Sequence, residues 1–301
     1  MEKVSIQNQK IFIDNYSIEI IVKREDLIHP IISGNKYRKL KYNVSQAKAL
    51  EKNTLLTFGG AFSNHIAALA YAGKLNNLNT IGVIRGEELV YKENLNPTLT
   101  LAKSLGMKLK FVTREEYRRK TKDSFVNTLI NEFGEFYLIP EGGTNNLAIK
   151  GCEEILKNED FRANYVCCAV GTGGTISGII NSSNANQKIL GFPALKGGFL
   201  NQDIRNFANQ DNWGLITDYH FGGYGKIKPE LISFINTFKR DYNIPLDPIY
   251  TGKMMFGIFD LIEKGYFPDG SKILVVHTGG LQGIIGVNEK LKLKNQPLIE
   301  V

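Results

Sequence analysis

Cysteine, histidine and tryptophan are scarce in this chain: three, four and one respectively in 301 residues. Cys152 stands alone, and Cys167 and Cys168 are adjacent in a β-rich run, where neighbouring side chains point to opposite faces. That spacing gives neither a disulfide framework nor a zinc site, and the thiols read as buried core groups. The histidines, His29, His65, His220 and His277, are isolated, with no HExxH or equivalent metal spacing, so each reads as a turn or core residue. No apolar run approaches the roughly 20 residues of a membrane span. The polar start, Met1 to Asn8, lacks the apolar centre of a signal peptide, and the expected location is cytoplasmic.

The length permits a large core, in two lobes. Hydrophobic residues at 43% and charged ones at 22% are ordinary for a globular protein. The formal charge of +7 is spread along the chain without a basic run interleaved with aromatics. A nucleic-acid footprint would be clustered, so the excess suits small anionic ligands instead.

From Lys10 to Val22 the pattern predicts two short strands around a turn at Asp14-Asn15. Helix-like and strand-like stretches then alternate: a helix over 37–52, a strand over 54–58, and a helix over 66–75 with Ser63 or Asn64 as N-cap. Strands over 80–84 and 108–112 flank a helix near 95–105, and one long polar helix is expected over 115–132. A strand over 136–139 leads to a turn that caps a helix over 147–157. A strand over 165–170 enters Gly171-Thr172-Gly173-Gly174-Thr175, which opens a helix of small residues. After a strand ending at Pro193 the pattern loosens from Asp211 to Tyr250. Helices over 229–240 and 254–263 and a strand over 272–276 complete the series. Such alternation predicts an α/β fold with mostly parallel sheets covered on both faces, and ligands beyond the carboxyl ends of the strands.

Two stretches carry chemistry. The glycines of GTGGT, between a strand and a helix, leave backbone N–H groups aimed at one spot, reinforced by the helix N-terminus. With Thr172 and Thr175 this would make a cup for one phosphate without lysine or metal; the alternative is a tight strand–helix turn. No Gly-Lys-Ser/Thr follows the loop, which excludes a Walker A motif, and Ile176 replaces the third glycine of the dinucleotide fingerprint. Ser63 does not sit in GxSxG, so a hydrolase elbow is unsupported. The second stretch is Ser33 to Leu40, SGNKYRKL. Its Lys36 at a helix mouth is badly placed for the helix dipole. Either it is a solvated lysine in a turn, or an amine held beside a carbonyl-bearing cofactor. The octet alone does not decide.

A phosphate cup, an amine at a turn and hydroxyl-rich strand ends together describe a pyridoxal 5′-phosphate site. In order, Lys23 to Leu40 (KRED through GNKYRKL), FGGAFSNH (58–65), PEGGTNNLAIKG (140–151), GTGGT, GYG (223–225), LDPIYTGKMMFG (246–257) and HTGG (277–280) span nearly the whole chain. In these blocks the chain resembles the fold-type II pyridoxal-phosphate family that includes D-cysteine desulfhydrase and 1-aminocyclopropane-1-carboxylate (ACC) deaminase. It departs from that family by reaching its lysine early and by Leu281-Gln282-Gly283-Ile284-Ile285 after HTGG.

The resemblance implies two domains, each an open, mostly parallel twisted sheet covered by helices. The larger, cofactor-binding domain would comprise residues 1–40 and 147–301, the smaller inserted one 41–146, and a homodimer is expected. It makes Lys36 the cofactor-bearing lysine and Asn64 the partner of the cofactor's 3′ oxygen. Ser63 and His65 would meet the substrate carboxylate, Gly171, Thr172, Gly173, Gly174 and Thr175 the phosphate, Tyr224 and Tyr250 the substrate, and Thr251 and Thr278 the pyridine nitrogen. Lys36 or Tyr250 would take the Cα proton, with Ser63 and Tyr224 assisting. The expected substrate is a small amino acid, D-cysteine first and ACC second; a family member that binds cofactor without turnover is a third reading. No membrane or nucleic-acid partner is expected.

Overall fold

The computed structural model describes residues 6–13, 15–198 and 200–301. Strands β1 (Asn8–Ile11) and β2 (Glu19–Lys23) pair antiparallel, as the sequence suggests, although Asp14 of the expected turn lies outside the described residues. Helix α1 (Asn35–Ala49) follows and buries Tyr37, Leu40, Val44 and Ala47, spaced as one helical face. Next come β3 (Thr54–Gly60), α2 (Asn64–Leu75), β4 (Asn79–Arg85), α3 (Pro97–Ser104) and β5 (Lys108–Val112).

The single polar helix expected over 115–132 is two, α4 (Arg114–Arg118) and α5 (Asp123–Phe133). A capping box between Thr113 and Glu116 closes the first onto its own turn. Arg118, Arg119, Lys120 and Lys122 then crowd like charges at one helical end, which does not favour continuing it. Tyr117 buries edge-on against Phe58, which anchors the break.

After β6 (Tyr137–Ile139), α6 (Asn146–Cys152) stops well short of Lys157. Asp160 draws the chain aside there, accepting from the Lys157 N–H at 2.8 Å and from Lys23 Nζ at 2.6 Å. The remaining elements are β7 (Tyr165–Val170), α7 (Gly174–Ser182), β8 (Lys188–Pro193), α8 (Leu200–Arg205), β9 (Trp213–Leu215), α9 (Pro229–Tyr242), α10 (Thr251–Glu263), β10 (Lys272–Val276) and α11 (Gly283–Lys292). The sequence reading contains no α8, β9 or α11. The first two are too short for a periodic signal, and α11 opens on Gly283 and Gly286.

The strands form two sheets. One has the order β1-β2-β10-β7-β8-β9 and is parallel except at β1; the other is β5-β4-β3-β6 and wholly parallel. Every strand of the second sheet falls between Thr54 and Ile139, while both flanks of the chain build the first. Both faces of the larger sheet are buried. Cys167, Leu190 and Val275 pack under α9, α10 and α11, and Cys168, Ile189 and Val276 under α6, α7 and α8. Adjacent cysteines thus do point to opposite cores, as free thiols. Each fully buried Leu or Ile contributes roughly 1.5–3 kcal/mol.

The charged stretch after β2 is internal. Lys23 pairs with Asp160, Arg24 with Asp26 at 2.7 Å, and Glu25 with Arg38 of α1 at 2.8 Å. Losing one partner of such a pair costs about 3–5 kcal/mol, because the other charge is left buried. The Glu25–Arg38 pair therefore fixes the first turn of α1, which carries Lys36. No helix among the described residues is long and apolar enough to cross a membrane.

Candidate active site

The carboxyl ends of β3, β7 and β10 meet at one cleft, lined by Asn35, Lys36, Ser63, Asn64, Gly171 to Thr175, Tyr250 and Thr278, among others. Gly34 positions its floor. Its φ of 61° is a left-handed conformation, and a Cβ there would lie 1.9 Å from the carbonyl oxygen of Thr278. Only glycine lets the α1 start touch the end of β10, and that contact puts Lys36 in the cleft. Lys36 Nζ donates to Asn35 Oδ1 at 3.1 Å, and Asn35 Nδ2 donates to Thr175 Oγ1 at 2.7 Å. Burial, then the neighbouring Lys39, push the Lys36 amine down to about 7. A lysine with that titration is a nucleophile and proton acceptor near neutrality.

Two helix N-termini open on the same cleft without side-chain caps. At α7 the N-cap is Gly173, with φ of 79°; at α2 it is Ser63, whose hydroxyl makes no capping bond. Helices α3, α4 and α6, by contrast, are capped by Asn96, Thr113 and Asn145. Uncapped first-turn N–H groups need a partner, and an anion is the natural one. The cleft therefore offers two anion seats and an amine. At the α7 seat a Cβ on Gly174 would fall 2.8 Å from Thr144 Oγ1 and 3.0 Å from Lys39 Nζ, so the glycine keeps the cradle open.

Lys39, to which the sequence pattern assigns no role, lines the same cleft. It is buried, and its ammonium donates to Gly142 O and Thr144 Oγ1, both at 3.0 Å, with Thr172 Oγ1 at 3.4 Å. The signal was present in the sequence: Lys39 lies one helical turn after Lys36. Which face it joined depended on the distant loops 142–144 and 171–175.

At the α2 seat Asn64 Oδ1 accepts from Gln282 Nε2 at 2.8 Å, leaving the Asn64 amide N–H groups as donors. Gln282 belongs to the segment where the chain departs from its family. The His65 side chain is turned elsewhere. Thr57 Oγ1 donates to Ile139 O at 2.8 Å, so it accepts from His65 Nε2 at 3.0 Å. Burial, then Lys36 and Lys39, hold the ring neutral, and its Nδ1 is buried without a partner. A carboxylate would meet no imidazolium here; what His65 offers an anion is its main-chain N–H. The other histidines accept main-chain N–H bonds at turns, His29 from Ile31, His220 from Gly222 and His277 from Gly279.

Tyr224 and Tyr250 stand at the outer wall with ring centroids 6.1 Å apart and hydrogen-bond to each other. Burial raises both phenols, and Tyr250 is held well above its ordinary value, also by Tyr224. Both are proton donors rather than bases. Thr278 lines the cleft, but Thr251 does not. Thr251 is fully buried and donates to Asp247 Oδ2 at 2.7 Å. Asp247 in turn accepts from the N–H groups of Ile249, Tyr250 and Thr251. The pair closes the start of α10, an i, i+4 bond between short polar side chains.

The donor set suits pyridoxal 5′-phosphate: a glycine cradle with a lysine for the phosphate, a depressed lysine for the aldehyde, and amide donors beside it. Residues 7–279 match the family described as pyridoxal-phosphate dependent enzymes, and the chain belongs to that family. A Pyrococcus abyssi protein provisionally named 1-aminocyclopropane-1-carboxylate deaminase is 31% identical, over 91% of this chain and 88% of its own. The mitochondrial bifunctional D-cysteine desulfhydrase/1-aminocyclopropane-1-carboxylate deaminase of Arabidopsis thaliana is 29% identical, over 88% and 73%. A crystal structure of an ACC deaminase homologue superposes with a TM-score of 0.80 at 29% identity, covering 91% of this chain and 88% of that one. The chain is a pyridoxal-phosphate enzyme of the lyase and deaminase type, with the fold-type II architecture of two parallel-sheet cores.

Proposed function

We propose that the chain eliminates the β-substituent of a small amino acid, with D-cysteine as substrate and sulfide, pyruvate and ammonia as products. The observation that carries this choice is the absence of any aspartate or glutamate among the described residues lining the cleft. The cofactor, when bound, supplies the electron sink that draws charge from Cα. A carboxylate beside its ring nitrogen would keep that nitrogen protonated and deepen the sink. Asp247, three residues before Tyr250, spends its oxygens on the start of α10, and Glu141, next to Gly142, accepts from the Tyr117 hydroxyl and pairs with Lys120. A shallower sink suits expulsion of a good leaving group such as thiolate.

Lys36 would hold the cofactor, and its free amine, lowered to about 7, would take the Cα proton. The free N–H groups at the start of α2, with Ser63 and Asn64, hold the substrate carboxylate. Tyr250, kept protonated, offers its phenol proton to the leaving group, and Tyr224 orients it. Residues 171–175 and Lys39 hold the phosphate.

A second reading is favoured by the relatives' names: opening of the ACC ring to 2-oxobutyrate and ammonia. The purified holoenzyme should be given D-cysteine, L-cysteine, D-serine and ACC, with keto acid and sulfide followed in parallel. Sulfide and pyruvate from D-cysteine, with ACC inert, support the first reading; 2-oxobutyrate from ACC, with D-cysteine inert, replaces it with the second.

A further inference from the structure

Beyond the tyrosine pair the cleft shares Asn64, Tyr224 and Tyr250 with a second cavity of about 480 Å³. Phe62, the loops at 224–227 and 247–250, and α11 with the chain after it form its walls. Cysteine does not need this space, and its size falls within the range of small-molecule sites. Three lysines line it, Lys226, Lys290 and Lys294, and among the described residues none of the three ammonium groups has an ion-pair or hydrogen-bond partner. Lys290 Nζ sits 3.7 Å from the centre of the Phe62 ring, and its titration is lowered by burial and then by Lys294 and Lys92. Lys290 and Lys294, four residues apart at the end of α11, thus repel each other. Asp247 is the one carboxylate among the described residues of the lining, and its oxygens are committed to α10.

Like charges gathered without counter-charge at a cavity that opens on an active cleft are best explained by an anion that comes with the ligand. We propose that this chamber receives a carboxylate or phosphate at the far end of the substrate's β-substituent. The preferred substrates would then be acidic β-conjugates of a small amino acid rather than the bare thiol. The proposal rests on the elimination reading above. With S-carboxymethyl-D-cysteine the Cα proton leaves to Lys36 and the Cβ–S bond breaks with its electron pair on sulfur. With one water consumed, the products are mercaptoacetate, pyruvate and ammonia.

The test compares S-carboxymethyl-D-cysteine, its neutral isostere S-carbamoylmethyl-D-cysteine and D-cysteine on the holoenzyme and on Lys290→Ala/Lys294→Ala. Thermal shifts with each compound are recorded alongside keto-acid release. Both lysines are exposed, so the variant should fold, and equal KM for D-cysteine in the two proteins checks this. The expected result is a several-fold preference for the carboxylate over the carbamoyl conjugate. The double variant should raise KM for the carboxylate conjugate about five- to ten-fold, as should raised salt, with D-cysteine unaffected. Turnover of D-cysteine without selectivity for the charged conjugate would overturn the chamber and leave the elimination reading standing. A lysine-dependent thermal shift without keto acid from any compound would sink the reaction and keep the anion site. Neither shift nor turnover would overturn both.

Discussion

Replacing Lys39 by methionine should slow the reaction of Lys36 with the cofactor aldehyde at neutral pH. Two causes lower Lys36 from 10.5 to about 7: burial first, then Lys39. At a pKa of about 7 half of the amine is neutral at pH 7, against about one part in three thousand for an ordinary lysine, since 3.5 units is a factor of 10^3.5. Lys39→Met removes the second cause and leaves the first, so the midpoint should move part of the way upward. The assay is the pH profile of imine formation between apoprotein and pyridoxal 5′-phosphate, followed by visible absorbance. Wild type should show a midpoint near 7 and the variant a higher one. The variant should also bind the cofactor more weakly, because Lys39 stands beside the α7 seat. The sign for stability follows from the same shift. Below pH 7 the folded apoprotein must hold a charged amine in a buried cleft. That cost amounts to about 2–4 kcal/mol once cleft water is allowed for, and it is relieved as pH rises from 7 toward 10.5, where the unfolded chain binds more protons. Lys36→Met apoprotein should therefore be more stable than wild type at pH 6 and lose that advantage by pH 10. A wild-type midpoint near 10, or one that falls in Lys39→Met, would refute the reasoning.

Gly34→Ala should destabilise the fold by about 3 kcal/mol or more in urea unfolding. A Cβ at 1.9 Å from Thr278 O in a left-handed backbone must separate α1 from β10, and cofactor affinity should fall with it. Lys253 is buried and donates to the carbonyls of His220 and Gly223, both at 2.9 Å, so it ties down the loop that carries Tyr224. Lys253→Met should loosen that loop, raising its amide exchange and lowering kcat while the cofactor stays bound; unchanged exchange would make the tether irrelevant.

Much of this molecule was legible before folding because its signals are local. Strand and helix alternation comes from side-chain period, and it placed β5, β7 and β10 within their limits. The glycines of 171–175 and the Gly34-Asn35 turn announce backbone shapes that few other residues adopt, so the amine and the glycine loop, which line one cleft, could be named together. What was not legible depends on contacts across the chain. Nothing in the charged stretch Lys23 to Asp26 says that it lies inside; Asp160 and Arg38, distant in the chain, arrive beside it and pair with Lys23 and Glu25. The expected roles of His65 and Thr251 were changed by Thr57 and Asp247, which claim their side chains for internal bonds. Lys39 joined the cleft because residues 142–144 and 172 turned their oxygens toward it, and Gln282 because α2 begins opposite. The ionisation of Lys36 is likewise tertiary: sequence supplies the amine, but only the burial of its surroundings and the nearness of Lys39 lower its affinity for a proton.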